Sequence, residues 1–302
     1  MLPSSPTRLV SVSFLALLLV VPFGADAQIP MDEPVPVDPD VIIGELDNGL
    51  KYLIRQNRRP ENRAELRLVV NAGSVLEDDS QRGLAHLVEH MAFNGTEHFE
   101  KQELIDYLES IGMEFGPSIN AFTSFDETVY RLTVPTEDPE MVSTAFQILE
   151  DWAHLVSFAP EEIDKERGVV IEEWRLGRGA QARMQDQQWP IMFRDSRYAE
   201  RLPIGDVEVL RNFPHEELTR FYNTWYRPDL MAVVAVGDFD PAAIEELIQT
   251  HFNRLPVPAT PLERPYFNVP DHAATYYAIA SDVEAPFSVV YLMAMHDPPV
   301  VT

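Results

Sequence analysis

Two kinds of hydrophobic pattern divide most of the chain into predicted strands and helices. Apolar residues alternate with polar ones over 65–70, predicting a strand, and the apolar run 231–236 predicts a buried strand. Asp47-Asn48-Gly49 lies between two apolar segments and predicts a two-residue hairpin turn, and residues 112–135 predict a second hairpin. Apolar residues spaced three and four apart predict α-helices over 83–93, 101–111, 139–156, 160–176 and 241–252.

Residues 1–27 have the pattern of a secretory signal peptide. Arg8 precedes an apolar run over 9–21, and Ala25-Asp26-Ala27 offers a small-residue cleavage site. An uncleaved membrane anchor is the alternative, but this run reaches only about 20 Å as a helix, short of the roughly 30 Å hydrocarbon core. We therefore expect an exported protein without a membrane anchor after cleavage.

Proline-rich segments mark the expected domain boundaries. Residues 28–41 are rich in proline and acidic groups and predict an extended arm, and 256–270 predict an interdomain linker. The remaining residues, 271–302, are too few for a domain, although 287–293 resemble a strand. We expect one large domain over 42–255 and then the beginning of a second, incomplete domain, so that the chain is a fragment of a longer protein.

The composition excludes several classes of function. The chain has 49 Asp and Glu against 23 Lys and Arg, and this net charge of −26 argues against binding nucleic acid or an anionic membrane surface. Cysteine is absent, which excludes disulfides, Cys-ligated zinc and a thiol nucleophile. An exported protein without disulfides fits the periplasm of a Gram-negative bacterium best, with secretion as the other possibility. Any metal ion must be bound by His and carboxylates.

The strongest chemical signal is the pentad His86-Leu87-Val88-Glu89-His90. A helix places residues i, i+3 and i+4 on one face, so it presents His86, Glu89 and His90 together. Two His one turn apart can share a zinc ion, and the Glu between them lies beside any water on that metal. The alternative is an ordinary helix with two solvated histidines, because such a pentad also arises by chance.

A zinc site of this kind needs a third protein ligand, and the acidic helix over 160–176 is the best source. Seven residues make about two helical turns, so Glu166 and Glu173 lie on nearly the same side of this helix. They share that side with Val169 and Val170, and we expect both carboxylates to be partly buried. The spacing alone leaves both as candidates for the ligand.

These residues and several further segments resemble the pitrilysin/insulinase family of zinc peptidases, M16. The resemblance runs from about residue 44 to 256. It is carried by GLAHLVEHMAFNGT at 83–96, INAFTSFDETVYRLTVP at 119–135, DKERGVVIEEWR at 164–175, RLPIGDVEVL at 201–210 and FYNTWYRPDLMAVVAVGDFD at 221–240.

The resemblance implies the roles of the site residues. His86, His90 and Glu173 are expected to ligate one Zn²⁺ per chain, with Glu173 favoured over Glu166, which becomes a supporting acidic residue. Glu89 is the expected general base that activates a zinc-bound water. The strand edge at Asn120-Ala121 is expected to pair with the substrate backbone, with Asn120 reaching towards the catalytic centre.

The implied fold is α+β, an antiparallel β-sheet covered by helices, followed by the start of a second similar domain. The implied function is a zinc metalloendopeptidase that hydrolyses extended oligopeptides or small proteins. Two other interpretations stay open: a non-catalytic binding or scaffold protein, and a zinc-binding, peptide-capturing subunit that is inactive without a second M16 half or partner chain. The resemblance gives neither the natural substrate nor the cleavage preference.

Overall fold

The computed structural model describes residues 37–101, 103–113, 116 and 118–294, and these residues belong to one compact unit. The predicted signal peptide, most of the predicted arm and the last eight residues lie outside the described residues. Among the residues that are described, no helix is both long and apolar enough to cross a membrane.

Within the described residues, six strands form one sheet in the order β1-β2-β6-β3-β5-β4. All neighbouring strands are antiparallel except β2 and β6, which run parallel, so the sheet is mixed rather than purely antiparallel. A connection through most of the chain separates β2 from β6, which is what a parallel pair requires. The strands are β1 Val41–Glu45, β2 Lys51–Gln56, β3 Arg63–Val70, β4 Ile119–Thr123, β5 Thr128–Pro135 and β6 Met231–Gly237.

Eight α-helices accompany the sheet in the described part of the chain, which confirms the α+β class. The five predicted helices correspond to α1, α2, α3, α4 and α8, with ends that differ by a few residues. The helices are α1 Leu84–Met91, α2 Glu103–Ser110, α3 Pro139–His154, α4 Pro160–Leu176, α5 Ala180–Met192, α6 Val207–Asn212, α7 His215–Trp225 and α8 Pro241–Phe252.

The sequence patterns did not lead us to predict α5, α6 and α7. In α7 the signal was present, since Leu218, Phe221, Tyr222 and Trp225 recur at helical spacing and are buried. In α5 no described side chain is buried and Pro190 lies within the helix, so it has no apolar stripe that a pattern could detect.

Two local predictions were wrong in whole or in part. The hairpin predicted at Asp47-Asn48-Gly49 joins β1 to β2, but its turn contains three residues rather than two, because Leu46 N–H donates to Leu50 O across it and Gly49 adopts a φ of +90°. Residues 287–293 form no strand, and Phe287, Val290 and Leu292 are exposed. A strand needs a neighbouring strand for its backbone hydrogen bonds, and the described residues offer none to this segment.

Helices cover one face of the sheet, and the core lies between them and that face. On β3, Ala64, Leu66, Leu68 and Val70 are buried, while the alternate residues from Arg63 to Val69 are exposed or half-buried. The same alternation occurs along β6. Helix α1 packs beside β4 at the edge of the sheet and against α4 and α7, and this placement brings the predicted site residues together.

Candidate metal centre

Helix α1 orients the histidine pentad by burying its apolar side. Leu84, Leu87, Val88 and Met91 are completely buried, as the helical spacing predicts. The imidazoles of His86 and His90 remain partly accessible, with 13% and 20% of their side chains exposed. Burial of the apolar side therefore fixes the direction in which both imidazoles face.

The N-terminus of α1 is capped by Glu77, which lies outside the pentad and before the helix in the sequence. The carboxylate of Glu77 is fully buried and accepts hydrogen bonds from the backbone N–H groups of Gly83, at 3.0 Å, and Ala85, at 2.8 Å. Gly83 itself has a φ of +100° and supplies no side-chain cap. Burial raises the pKa of Glu77 to about 8, so its contribution at this end is to accept hydrogen bonds from free N–H groups. Sequence spacing gave no indication of this contact, because a loop brings Glu77 to the helix.

Helix α4 supplies the third group of the site. Glu173 Oε2 lies 3.4 Å from His90 Nε2 and 3.7 Å from His86 Nε2, and the two Nε2 atoms are 3.2 Å apart. The Glu166 carboxylate instead contacts the other nitrogen of the His90 ring, with Glu166 Oε1 at 2.7 Å from His90 Nδ1. The structure thus separates two glutamates that the helical spacing placed together.

The expectation that both glutamates are partly buried was half right. Glu166 is buried to a large extent, with 13% of its side chain exposed, whereas 51% of the Glu173 side chain and 49% of Val169 are exposed. No residue of α4 after Val170 is buried, since the end of this helix extends past its packing partners. Glu173 therefore lies at the mouth of the site.

The three atoms fit a zinc ion in spacing and in chemistry. Zn–N and Zn–O bonds of about 2.0–2.2 Å in a tetrahedral site separate the ligand atoms by about 3.3–3.6 Å, close to the three distances found here. The ligand atoms of His86, His90 and Glu173 all lie within 4.8 Å of one another. In the neutral ring, donation from His90 Nδ1 to the Glu166 carboxylate leaves a lone pair on His90 Nε2, which faces Glu173. Three electron-pair donors that converge in this way suit a cation.

Glu166 is held in turn by Asn94. Asn94 Nδ2 donates to Glu166 Oε2 at 2.9 Å and to the backbone carbonyl of His90 at 3.1 Å. A carboxylate on the second nitrogen of a metal-binding His fixes its tautomer and ring orientation. This contact gives Glu166 a physical role that fits the supporting position implied by the resemblance. The sequence analysis predicted no role for Asn94.

The two histidines differ in their electrostatic surroundings. Burial lowers the pKa of His86 to about 4, with a smaller contribution in the same direction from His90. Burial also acts to lower the pKa of His90, but the hydrogen bond to Glu166 and the nearby carboxylates outweigh it and raise the value overall. A neutral His86 is in the form that binds a metal ion.

Glu89 is buried on α1, directly before His90 in the sequence. Its Oε2 accepts a hydrogen bond of 2.6 Å from Thr123 Oγ1 at the end of β4. Burial raises the pKa of Glu89, and the hydrogen bond from Thr123 opposes this shift. A carboxylate with a raised pKa in a cleft is suited to accept and return a proton. Thr123 was not predicted, although it lies on the same side of β4 as Ala121, two residues away.

Strand β4 is an edge of the sheet, as the resemblance implies. Thr133 N–H donates to Ser118 O and Ser124 N–H donates to Glu127 O, so hydrogen-bonded pairs recur at every second residue of this hairpin. Asn120 pairs with β5 in this register, and the backbone groups of Ala121 and Thr123 face the free edge.

Among the described residues, the side chain of Asn120 has no hydrogen bond to His86, Glu89, His90 or Glu173. Its Oδ1 accepts from Ala121 N–H at 2.9 Å, and its Nδ2 lies 3.4 Å from Gly116 O. Strand alternation places it on the open face of the sheet, opposite Arg131, whereas Thr123 reaches Glu89. The roles of Asn120 and Ala121 in substrate binding stay predictions.

The fold and the site define a member of a peptidase family. The family model described as insulinase, peptidase family M16, matches residues 52–200, and the model described as peptidase M16 inactive domain matches residues 212–294. The chain belongs to peptidase family M16. The second match begins within the compact unit and includes α7, β6 and α8, so the domain boundary at 255 stays a prediction.

Several relatives of this chain have names that describe zinc proteases. The chain is 46% identical to the zinc protease PQQL-like of Arabidopsis thaliana, over 82% of this chain and 26% of the relative. It is 41% identical to the probable zinc protease PqqL of Haemophilus influenzae, over 78% of this chain and 26% of the relative. The first half of the periplasmic protease PqqL from Escherichia coli has the same fold, with a TM-score of 0.73, 36% identity, and coverage of 77% of this chain and 50% of that one. The chain thus spans about a quarter of the length of these curated relatives.

Proposed function

We propose that this chain is the metal-binding, catalytic part of a zinc metalloendopeptidase that hydrolyses extended oligopeptides or small proteins. The observation that carries the proposal is the triangle of His86 Nε2, His90 Nε2 and Glu173 Oε2 next to the buried carboxylate of Glu89. One zinc ion per chain would be held by these three residues. When bound, zinc polarises a peptide carbonyl and lowers the pKa of water to about 7.

The residues of the chain have separate tasks in this reaction. Glu89 takes a proton from the attacking water at its carboxylate and delivers it to the amine that leaves when the peptide bond breaks. Thr123 fixes one oxygen of that carboxylate through its hydrogen bond. Glu166 fixes the ring of His90, and Glu77 fixes the helix that carries both histidines.

The free edge of β4 would hold the substrate. An extended peptide can add to a sheet edge through backbone hydrogen bonds, which gives affinity with little dependence on side chains. The backbone groups of Ala121 and Thr123 face this edge, where Ala121 N–H donates to Asn120 Oδ1, and Thr123 also contacts Glu89. A peptide paired there would have its backbone beside the general base.

The proposal also includes a second M16 half and a periplasmic location. Because the matched relatives are much longer, a second M16 half, on the same or another chain, would complete the substrate chamber. A periplasmic location is supported by the signal-like sequence at residues 1–27 and by the E. coli relative, whose name describes a periplasmic protease. The second candidate function, a zinc-binding, peptide-capturing subunit that needs that other half for turnover, is favoured by the same difference in length.

One set of variants tests the function. Zinc content and cleavage of a quenched fluorescent peptide are measured for the wild-type chain, Glu89→Gln and His86→Ala, each with and without the downstream half. We expect Glu89→Gln to retain zinc and lose turnover, and His86→Ala to lose both. Full turnover by Glu89→Gln would disprove the role of the base. Zinc binding with turnover only after addition of the downstream half would favour the capturing subunit.

A further inference from the structure

The face of the sheet that helices leave uncovered contains a groove of about 480 Å³. Its floor is apolar and consists of half-buried side chains on two neighbouring strands, Val69 on β3 and Val234 and Val236 on β6. The loop between β2 and β3, with Arg59 and Pro60, forms one wall. A volume of this size is within the range of ligand-binding clefts.

The polar lining of the groove is cationic. Arg59, Arg63 and Arg67 line it together with a single carboxylate, that of Glu65. Arg67 donates to Glu65 Oε1 at 2.6 Å, so the charges of these two side chains offset each other. The side chains of Arg59 and Arg63 have no hydrogen bond or ion pair with any described residue.

This concentration of positive charge is unusual for the protein, which has a net charge of −26. Most other arginines in the described residues are paired with a carboxylate, as Arg183 is with Asp282 and Arg220 is with Asp78. On the loop side, Asp238 and Glu137 accept hydrogen bonds from Asn62, and Glu61 is exposed and does not line the groove. Arg59 and Arg63 pair with no described carboxylate and can bind an anionic partner.

The chemistry of the groove identifies the class of partner. The guanidinium group is a planar donor that matches a carboxylate in two parallel hydrogen bonds. The valine floor suits aliphatic or aromatic side chains, which leave water when they bind there. A polypeptide segment in which acidic residues alternate with apolar ones offers both, because alternate side chains of an extended chain face the same side.

We propose that this groove binds an acidic, partly apolar polypeptide segment, at a site separate from the metal centre. Only β5 separates β3 from β4, so the groove lies about 10 Å from the β4 edge by the spacing of neighbouring strands. A polypeptide long enough to occupy both places can therefore contact the groove and the edge at once. Binding at the groove itself requires neither metal nor turnover.

The test uses the full chain with the Glu89→Gln substitution and without metal, so it does not depend on the proposed peptidase activity. Binding of a short fluorescent peptide that alternates Glu with Val is followed by anisotropy, beside a peptide with Lys in place of each Glu. We expect saturable binding of the Glu peptide that weakens as salt is raised, because both partners are charged and accessible. The Lys peptide should bind at least about tenfold more weakly.

Charge reversal in the groove is the decisive comparison. Arg59→Glu/Arg63→Glu should weaken binding of the Glu peptide by about tenfold or more. The matched control, Arg194→Glu/Arg211→Glu, makes the same change in net charge at two exposed positions outside the groove and should change affinity less than about twofold. Circular dichroism and thermal melting confirm that each variant is folded. Absence of saturable binding, equal affinity for both peptides, or equal effects of the two double substitutions would each overturn the proposal.

Discussion

The hydroxyl of Thr123 donates a hydrogen bond of 2.6 Å to the carboxylate of Glu89. Thr123 is the last residue of the edge strand β4, and Glu89 lies on helix α1 between the two histidines. One side-chain contact therefore joins the strand proposed to hold the peptide to the residue proposed to act on it. In the proposed reaction, this contact would help to orient the base relative to the peptide.

Thr123→Val should impair turnover more than substrate binding. Valine has nearly the same shape and removes the hydroxyl, so Glu89 loses the hydrogen bond that orients it while the edge strand stays intact. We expect kcat to fall about tenfold with little change in KM, since a misplaced base loses part of its contribution. Steady-state kinetics with zinc content as a check measures this. Thr123→Ser should restore kcat, and a valine variant with unchanged kcat would show that the contact has no role.

Glu166→Gln should weaken zinc binding without removing a metal ligand. Its carboxylate accepts from His90 Nδ1 and from Asn94 Nδ2, and glutamine keeps one neutral acceptor while it loses the charge and the acceptor for Asn94. Disturbing such a supporting contact costs about 10–100-fold in metal affinity. Competition with a chromophoric chelator measures the dissociation constant. Glu162→Gln on the same helix is the matched control, because Glu162 contacts Lys101 and Lys165 and neither histidine. Equal zinc affinity in both variants would contradict the role assigned to Glu166.

Glu77→Ala should destabilise α1 and the metal site together. Removing the carboxylate leaves the buried N–H groups of Gly83 and Ala85 without acceptors, at a cost of about 2–4 kcal/mol. We expect a lower melting temperature and weaker zinc binding. Glu150→Ala removes a buried carboxylate between α3 and α8 and is the control for stability alone. If both variants lose zinc affinity in proportion to their loss of stability, Glu77 has no specific effect on the site.

Ala121→Pro should reduce peptide binding while the fold persists. The N–H of Ala121 faces the free edge in this register and donates to Asn120 Oδ1 at 2.9 Å. Proline removes this local hydrogen bond, and with it the donor that a bound peptide would take over, but no bond to β5. We expect KM to rise about fivefold or more, as one backbone hydrogen bond is lost and a ring occupies the edge. Asn120→Pro is the informative contrast, since it removes a bond to β5 and should lower the melting temperature instead. An unchanged KM in the Ala121 variant would argue against strand addition.

The stabilising effect of Glu150 should depend on pH. Burial acts to raise the pKa of this carboxyl, but the neighbouring His154, His251 and Arg254 outweigh it and hold the value well below the ordinary 4.5. A lowered pKa in the folded protein means that the stabilisation is present above about pH 4.5 and is lost as the pH falls through the folded value.

Glu150→Gln should therefore lower the free energy of unfolding by about 2 kcal/mol at pH 7. The difference in unfolding free energy between the variant and the wild type should become smaller below pH 4.5. Urea unfolding at several pH values measures both. A gap that stays constant down to pH 3 would show that ionisation of Glu150 contributes nothing.

Local patterns in the sequence were sufficient for the parts of the site that lie within one helix. The spacing of His86, Glu89 and His90 determines that they share a face, because helical geometry is the same in any context. The apolar residues of α1 determine which side is buried. The spacing also predicted that Glu166 and Glu173 lie on one side of α4, but it did not determine which of the two faces the histidines.

Only the tertiary structure decided which glutamate faces the histidines and what supports them. Glu173 converges on His86 and His90 because α4 packs against α1 in one register, and that register comes from the burial of residues such as Ile163 and Val170 rather than from any local signal. Thr123, Asn94 and Glu77 reach the site from separate segments. Their hydroxyl, amide and carboxyl groups are common in any sequence, and they acquire a role only when packing places a donor or acceptor within hydrogen-bond distance.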